Sequence, residues 1–171
     1  MPNFYTPPPD LSNFPTKAEV PNFINGGTFQ TVANLLANFP AAAQYRGMYA
    51  RVSDLWGTVQ TVMICETDGT NYYWRPQRTD YAITSTQTSG TMSLVPLVTA
   101  PEIALQSTLL GAMTVTPSST NVWPGCQFRI RAPSSIGLFS LTLTGLIGGL
   151  TATILGGGDK TVVYTANGWR A

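Results

Sequence analysis

A mainly β fold is predicted by three observations. Thr accounts for 24 of the 171 residues, and β-branched side chains fit a pleated surface better than a helix. Several short stretches alternate apolar and polar residues, the period of a half-buried strand: Met48, Ala50 and Val52 against Tyr49, Arg51 and Ser53, then Cys126, Phe128 and Ile130 against Gln127, Arg129 and Arg131. Turn chemistry punctuates them at Asp68-Gly69, Pro117-Ser118-Ser119, Pro124-Gly125, Pro133-Ser134-Ser135 and Gly156-Gly157-Gly158-Asp159, roughly 8–12 residues apart in the C-terminal half, as in a sandwich or barrel. The expected architecture is an extended N-terminal arm (1–30), a small β unit with one short helix (31–80), a linker (81–90), and a C-terminal antiparallel β-sandwich or barrel (91–171).

The arm carries Pro2, Pro7, Pro8, Pro9, Pro15 and Pro21. Each proline fixes φ and biases its predecessor toward extended backbone, so Pro7-Pro8-Pro9 reads as polyproline II. An Asn-Phe pair recurs at 3–4, 13–14 and 22–23. Aromatic rings on a stiff, extended backbone suit a strap that plugs into a neighbour, which makes Phe4, Tyr5, Phe14 and Phe23 the candidate partner-binding residues. The alternative is a disordered leader, a class usually poor in aromatics. The first residues lack the charged and apolar regions of a secretory signal.

Thr28 to Asn38 is the helix candidate, with Val32, Leu35 and Leu36 on one face, Thr28 as cap and Pro40 as stop. Gly57 to Glu66 is apolar on both faces in places and reads as a strand covered on two sides. Asp68-Gly69 turns the chain, and Tyr72-Tyr73-Trp74 forms the return strand. Residues 79–90 are rich in Ser and Thr, without a sustained apolar period. Beyond them, Phe139/Leu141/Leu143 and Leu150/Ala152/Ile154 are further inward-facing sets, and Thr161 to Thr165 is a final strand. The chain closes with Asn167-Gly168-Trp169-Arg170, an echo of the earlier Asp-Gly turn followed by Trp74-Arg75.

Composition removes several function classes. Charged residues are 10% of the chain and hydrophobic ones 43%, against about 25% charged in an ordinary soluble domain. The net charge is +1, and the charges are scattered. No basic cluster is present to neutralise a row of phosphates, so no nucleic-acid partner is expected. No apolar run reaches the roughly 18 residues of a membrane span. His is absent, which removes the commonest general base and a usual zinc ligand. Neither cofactor nor metal is expected. Cys65 and Cys126 sit in apolar, strand-like runs and read as reduced core thiols. Arg strongly outnumbers Lys, a bias found at protein interfaces.

Three constellations carry some chemistry. Glu66 and Asp68 are two apart and could share a strand face as a carboxylate pair; the plainer reading assigns Asp68 to its turn. The chain is therefore expected not to be an enzyme. Tyr72 and Trp74 share one strand face, a candidate interface or glycan platform, and Tyr73 takes the other. Gly156-Gly157-Gly158-Asp159-Lys160 lacks the Gly-Lys-Ser/Thr ending of a phosphate loop and sits between strands, so it reads as a loose hairpin turn.

The segment from Leu35 to Pro76, roughly a quarter of the chain, is more specific. It combines a Pro40-Ala41-Ala42 opening, a Gly47-x-x-Ala50-x-Val52-x-Asp54 strand and an Asp68-Gly69 hairpin closing on Trp74-Arg75. This resembles a short module of tailed-phage structural proteins, found in head fibres, tail fibres and other surface appendages. The resemblance implies a non-enzymatic structural protein of a virion, a homo-oligomer that is often a trimer, and the major capsid protein or other virion proteins as partners. A capsid decoration (cement) protein is the leading expectation, because the chain is short, lacks a coiled coil or long shaft, and begins with an anchoring arm. A tail-fibre or baseplate appendage is the runner-up. A carbohydrate-binding module is the reading from a different class.

Overall fold

The computed structural model describes residues 23–57, 59–78 and 80–171, with side chains from Thr28 onward. Phe4, Tyr5, Phe14 and the Pro7–Pro9 run lie outside the described residues. The fold is mainly β, as the alternation predicts, with thirteen strands and one α-helix among the described residues.

Strands β1 (Phe23–Phe29), β2 (Tyr49–Leu55), β3 (Val59–Thr67) and β4 (Tyr72–Pro76) form the first sheet, in that order. The expected arm boundary at residue 30 is corrected here: β1 runs parallel to β2, with Phe23 opposite Tyr49 and Phe29 opposite Val52. Phe23 therefore opens a strand of the fold. Pairing of Thr28 with Arg51 also moves the helix start. Helix α1 spans Val32–Asn38, and its cap is Thr31, whose Oγ1 accepts from Asn34 N at 3.2 Å. It ends at Phe39, immediately before Pro40. Val32 and Leu35 are buried, and the helix packs on β2. In β2 and β3 the buried row is Ala50, Val52, Leu55, Val59, Thr61, Met63 and Cys65. Val62 and Ile64 on the other face are only half-buried, so β3 is covered fully on one side.

The remaining strands are β5 (Ala82–Ser85), β6 (Gly90–Leu94), β7 (Glu102–Leu105), β8 (Met113–Pro117), β9 (Gln127–Arg131), β10 (Leu141–Leu143), β11 (Ala152–Ile154), β12 (Asp159–Thr165) and β13 (Gly168–Arg170). They make two sheets, ordered β11-β10-β8-β6 and β13-β12-β9-β7-β5. From β5 to β10 the chain alternates between the sheets. Each strand pairs in parallel with the strand two places on: β5 with β7, β7 with β9, β6 with β8, and β8 with β10. The result is a coil of three stacked turns. After β10 the direction reverses, and β11 and β12 add antiparallel to β10 and β9, with β13 closing as a hairpin on β12.

Three expectations are corrected by this winding. The C-terminal part is not purely antiparallel, because side-chain alternation is the same for either strand direction and carries no record of it. Parallel neighbours need a long crossover, supplied here by a strand of the opposite sheet. Residues 81–90 are not a linker: β5 pairs along its length with β7, and Tyr81 stacks on Trp56 with ring centroids 5.7 Å apart. Gly156–Gly158 is not a hairpin turn, since β11 and β12 belong to different sheets. Buried residues of all three sheets, from Met48 and Trp74 to Ile130 and Trp169, join one core.

Candidate functional site

The β3–β4 hairpin is built by its own residues. Gly69 adopts φ +98°, which the turn requires and which an L side chain resists. Asp68 Oδ1 accepts from the backbone N of Thr70 at 2.9 Å and of Asn71 at 2.7 Å. These amide donors hold the Asp68 carboxyl below its ordinary range. Cross-strand register places Glu66 opposite Tyr73 and Ile64 opposite Arg75. Arg75 grips Glu66 in a two-point ion pair, Nε–Oε2 2.8 Å and Nη2–Oε1 2.6 Å. The same contact lowers the Glu66 carboxyl and raises the guanidinium. Both carboxylates of the candidate catalytic pair are thus held ionised by structural partners.

Trp74 is corrected as an exposed platform residue. It is 1% exposed, and its indole Nε1 donates to the Phe39 carbonyl at 2.9 Å, anchoring the loop after α1. Trp169, in the echoing motif, is 2% exposed and donates to the Ser118 carbonyl at 3.1 Å. Both Trp-Arg pairs bury the indole and leave the Arg at least partly exposed. Tyr72 stays half-exposed. It borders a cleft of about 290 Å³ between the hairpin turn and the loop after β8. Asp68, Asn71 and Tyr73 form one wall with Tyr72; Ser119, Asn121 and Tyr164 form the other. Asn121 sits at φ +54°, a left-handed conformation that Asn tolerates better than most residues. The sequence marked the Pro117-Ser118-Ser119 turn, but nothing in it brings that turn to the hairpin.

A smaller cavity, about 150 Å³, lies between Trp56, Pro76, Leu97, Trp123 and Phe128, where the first sheet meets the coil. Trp56 (φ +57°) and Leu97 (φ +68°) are both strained. Cys126 borders this cavity, and burial pushes its thiol up to about 12. Burial raises the Cys65 thiol as well, and neither is bonded. Among the described residues no cluster of His, Cys, Asp and Glu is arranged to hold a metal, and no helix is long and apolar enough to cross a membrane.

No protein-family model and no curated protein matches this chain. A structural likeness exists to a chain in a solved "Structure of a chaperone-substrate complex", at TM-score 0.40 and 15% identity, covering 72% of this chain and 26% of that one. This chain thus spans about a quarter of that chain's length.

Proposed function

We propose that this protein is a non-enzymatic structural component of a tailed-phage virion, a capsid decoration protein anchored through the residues that precede β1. The supporting observation is the module-like segment Leu35–Pro76, several of whose distinctive residues have a building role. Pro40 stops the helix, and Ala50 and Val52 face the core. Asp68-Gly69 makes the turn, and Trp74 ties the closing strand to Phe39. Low charge also suits a surface covered by neighbours in an assembly. The partners are the major capsid protein and further copies of this chain.

The stacked winding of β5 to β10 favours a second reading, a tail-fibre or baseplate appendage, because coils of this kind extend along an axis as shafts do. Incubation of the purified protein with capsids lacking it, and separately with tails, followed by sedimentation, separates the two. Saturable recovery with capsids supports decoration; recovery with tails alone supports the appendage.

A further inference from the structure

Pro7, Pro8 and Pro9 give the chain three carbonyls in a row without a single N–H donor. They lie outside the described residues. A proline run favours polyproline II, a backbone without internal hydrogen bonds, so it offers apolar rings and unpaired acceptors.

The cavity where the first sheet meets the coil offers the complement. Its volume is about 150 Å³, enough for one small ring. Its walls are mostly apolar, with Trp56, Leu97, Trp123 and Phe128 among them, and the polar side chains are Thr99 and Gln127. The Thr99 hydroxyl is engaged, accepting from Val95 N at 2.9 Å. Gly125 and Gln127 are the exposed members of the lining and mark its opening. Trp56 carries an unmet donor: its indole Nε1 is buried and has no hydrogen-bond partner. An indole N–H can only donate, so the missing partner is an acceptor. Strain converges on the same cavity. Trp56 (φ +57°) and Leu97 (φ +68°) are two of the three non-glycine residues with positive φ among the described residues, and such strain collects where a ligand is clamped.

Chain connection favours an occupant from another copy. Trp56 follows the last residue of β2, whereas β1 begins opposite Tyr49, the first. The residues before Phe23 therefore join the sheet at the end remote from Trp56, about 23 Å away at roughly 3.3 Å per residue. We infer that this cavity is a docking site for the Pro7-Pro8-Pro9 run of a second copy of this chain, a proline ring entering between the aromatic walls while a carbonyl accepts from Trp56 Nε1. Each contact is weak and acts where copies sit side by side. The inference does not depend on the virion reading, since it needs only two folded copies.

The test is nuclear magnetic resonance of the full chain, whose four tryptophans give four indole N–H signals; W56F assigns that of Trp56. A capped peptide of residues 6–10, Thr-Pro-Pro-Pro-Asp, is titrated into the full-length P7S/P8S/P9S variant, whose changes lie outside the sheets. It is expected to move the Trp56 signal downfield and saturably, and the same peptide with serine at its three proline positions is expected not to. Adding W56F to that variant is expected to weaken peptide binding about tenfold, followed at the Trp123 signal, with the unfolding midpoint as control for the fold. Raising the concentration of the native chain is expected to move its Trp56 signal in the same direction, while P7S/P8S/P9S stays fixed. The inference is overturned if the proline peptide leaves the Trp56 signal unmoved, or if a peptide of residues 3–6, carrying Phe4 and Tyr5, moves it instead. It is equally overturned if the native and variant signals differ by the same amount at every concentration, which would place each run in its own cavity.

Discussion

The indole N–H of Trp74 donates to the backbone carbonyl of Phe39 at 2.9 Å, across 35 positions of sequence. This one bond ties the closing strand of the first sheet to the end of its helix. Trp74→Phe keeps most of the ring volume but leaves the part-buried Phe39 carbonyl without its indole partner. It is expected to cost about 1–3 kcal/mol, and Trp74→Ala about 3–5 kcal/mol, both read from denaturant midpoints at unchanged slope. A near-neutral Trp74→Ala would remove Trp74 from the core.

The Glu66–Arg75 pair makes stability depend on acid. The folded Glu66 carboxyl lies below its ordinary 4.5, chiefly through the Arg75 hydrogen bond. Its contribution is therefore present above pH 4.5 and lost as pH falls through the depressed folded value. Both side chains are about one-third exposed, so solvent screening keeps the pair to about 0.5–1 kcal/mol. Glu66→Gln is expected to be less stable than the native chain by that amount at pH 7 and equal to it near pH 2. Parallel stability curves over the whole range would contradict the assignment.

Neither thiol is expected to react in the native state. Cys65 and Cys126 are both buried, and at pH 8 a thiol titrating at about 12 holds almost no thiolate. Native protein should show no labelling by an aromatic disulfide reagent over minutes, and two equivalents after unfolding in guanidinium. Rapid native labelling at either site would contradict the packing.

Gly156 marks where the loop between β11 and β12 touches the loop between β9 and β10. A Cβ there would meet Ser134 O at 3.1 Å and Ile136 N at 3.3 Å, both backbone atoms. Gly156→Ala is expected to destabilise by about 1–3 kcal/mol through overpacking. A neutral substitution would mean the loops between β9 and β10 and between β11 and β12 are not stacked as described.

Leu110, Leu138 and Leu155 lie in the loops after β7, β9 and β11, which stack along one side of the coil, and are 76%, 101% and 71% exposed. Exposed apolar groups gathered in this way mark association surfaces. The triple change to Ser is expected to leave the unfolding midpoint nearly unchanged, since exposed substitutions seldom exceed about 0.5 kcal/mol each. It should also shift the sedimentation coefficient toward that of a monomer. An unchanged coefficient would remove these three leucines from any association surface.

Much of this architecture is readable from single residues. Alternation around Ala50 and Val52 gives β2, Asp68-Gly69 gives the β3–β4 turn, and Cys126, Phe128 and Ile130 give the buried face of β9. What sequence does not carry is strand direction and partnership. Ala82–Ser85 looks like linker because an edge strand with half-exposed residues has no apolar period, yet backbone pairing with Glu102–Leu105 fixes it. Phe139 and Leu150 extend the alternation of their neighbours but lie beyond the strand ends, and both are exposed. Trp74 reads equally as a platform or a core ring; only the approach of Phe39, a distant loop, decides.

The role of the N-terminal residues can be measured directly. Removing residues 1–22 spares β1, which begins at Phe23, so the truncated chain is expected to keep the unfolding midpoint of the full one. Co-sedimentation of both chains with capsids lacking the protein should give saturable binding for the full chain and none for the truncated one. Equal binding by the two chains, or no capsid binding by either, would contradict anchoring of a decoration protein by its arm.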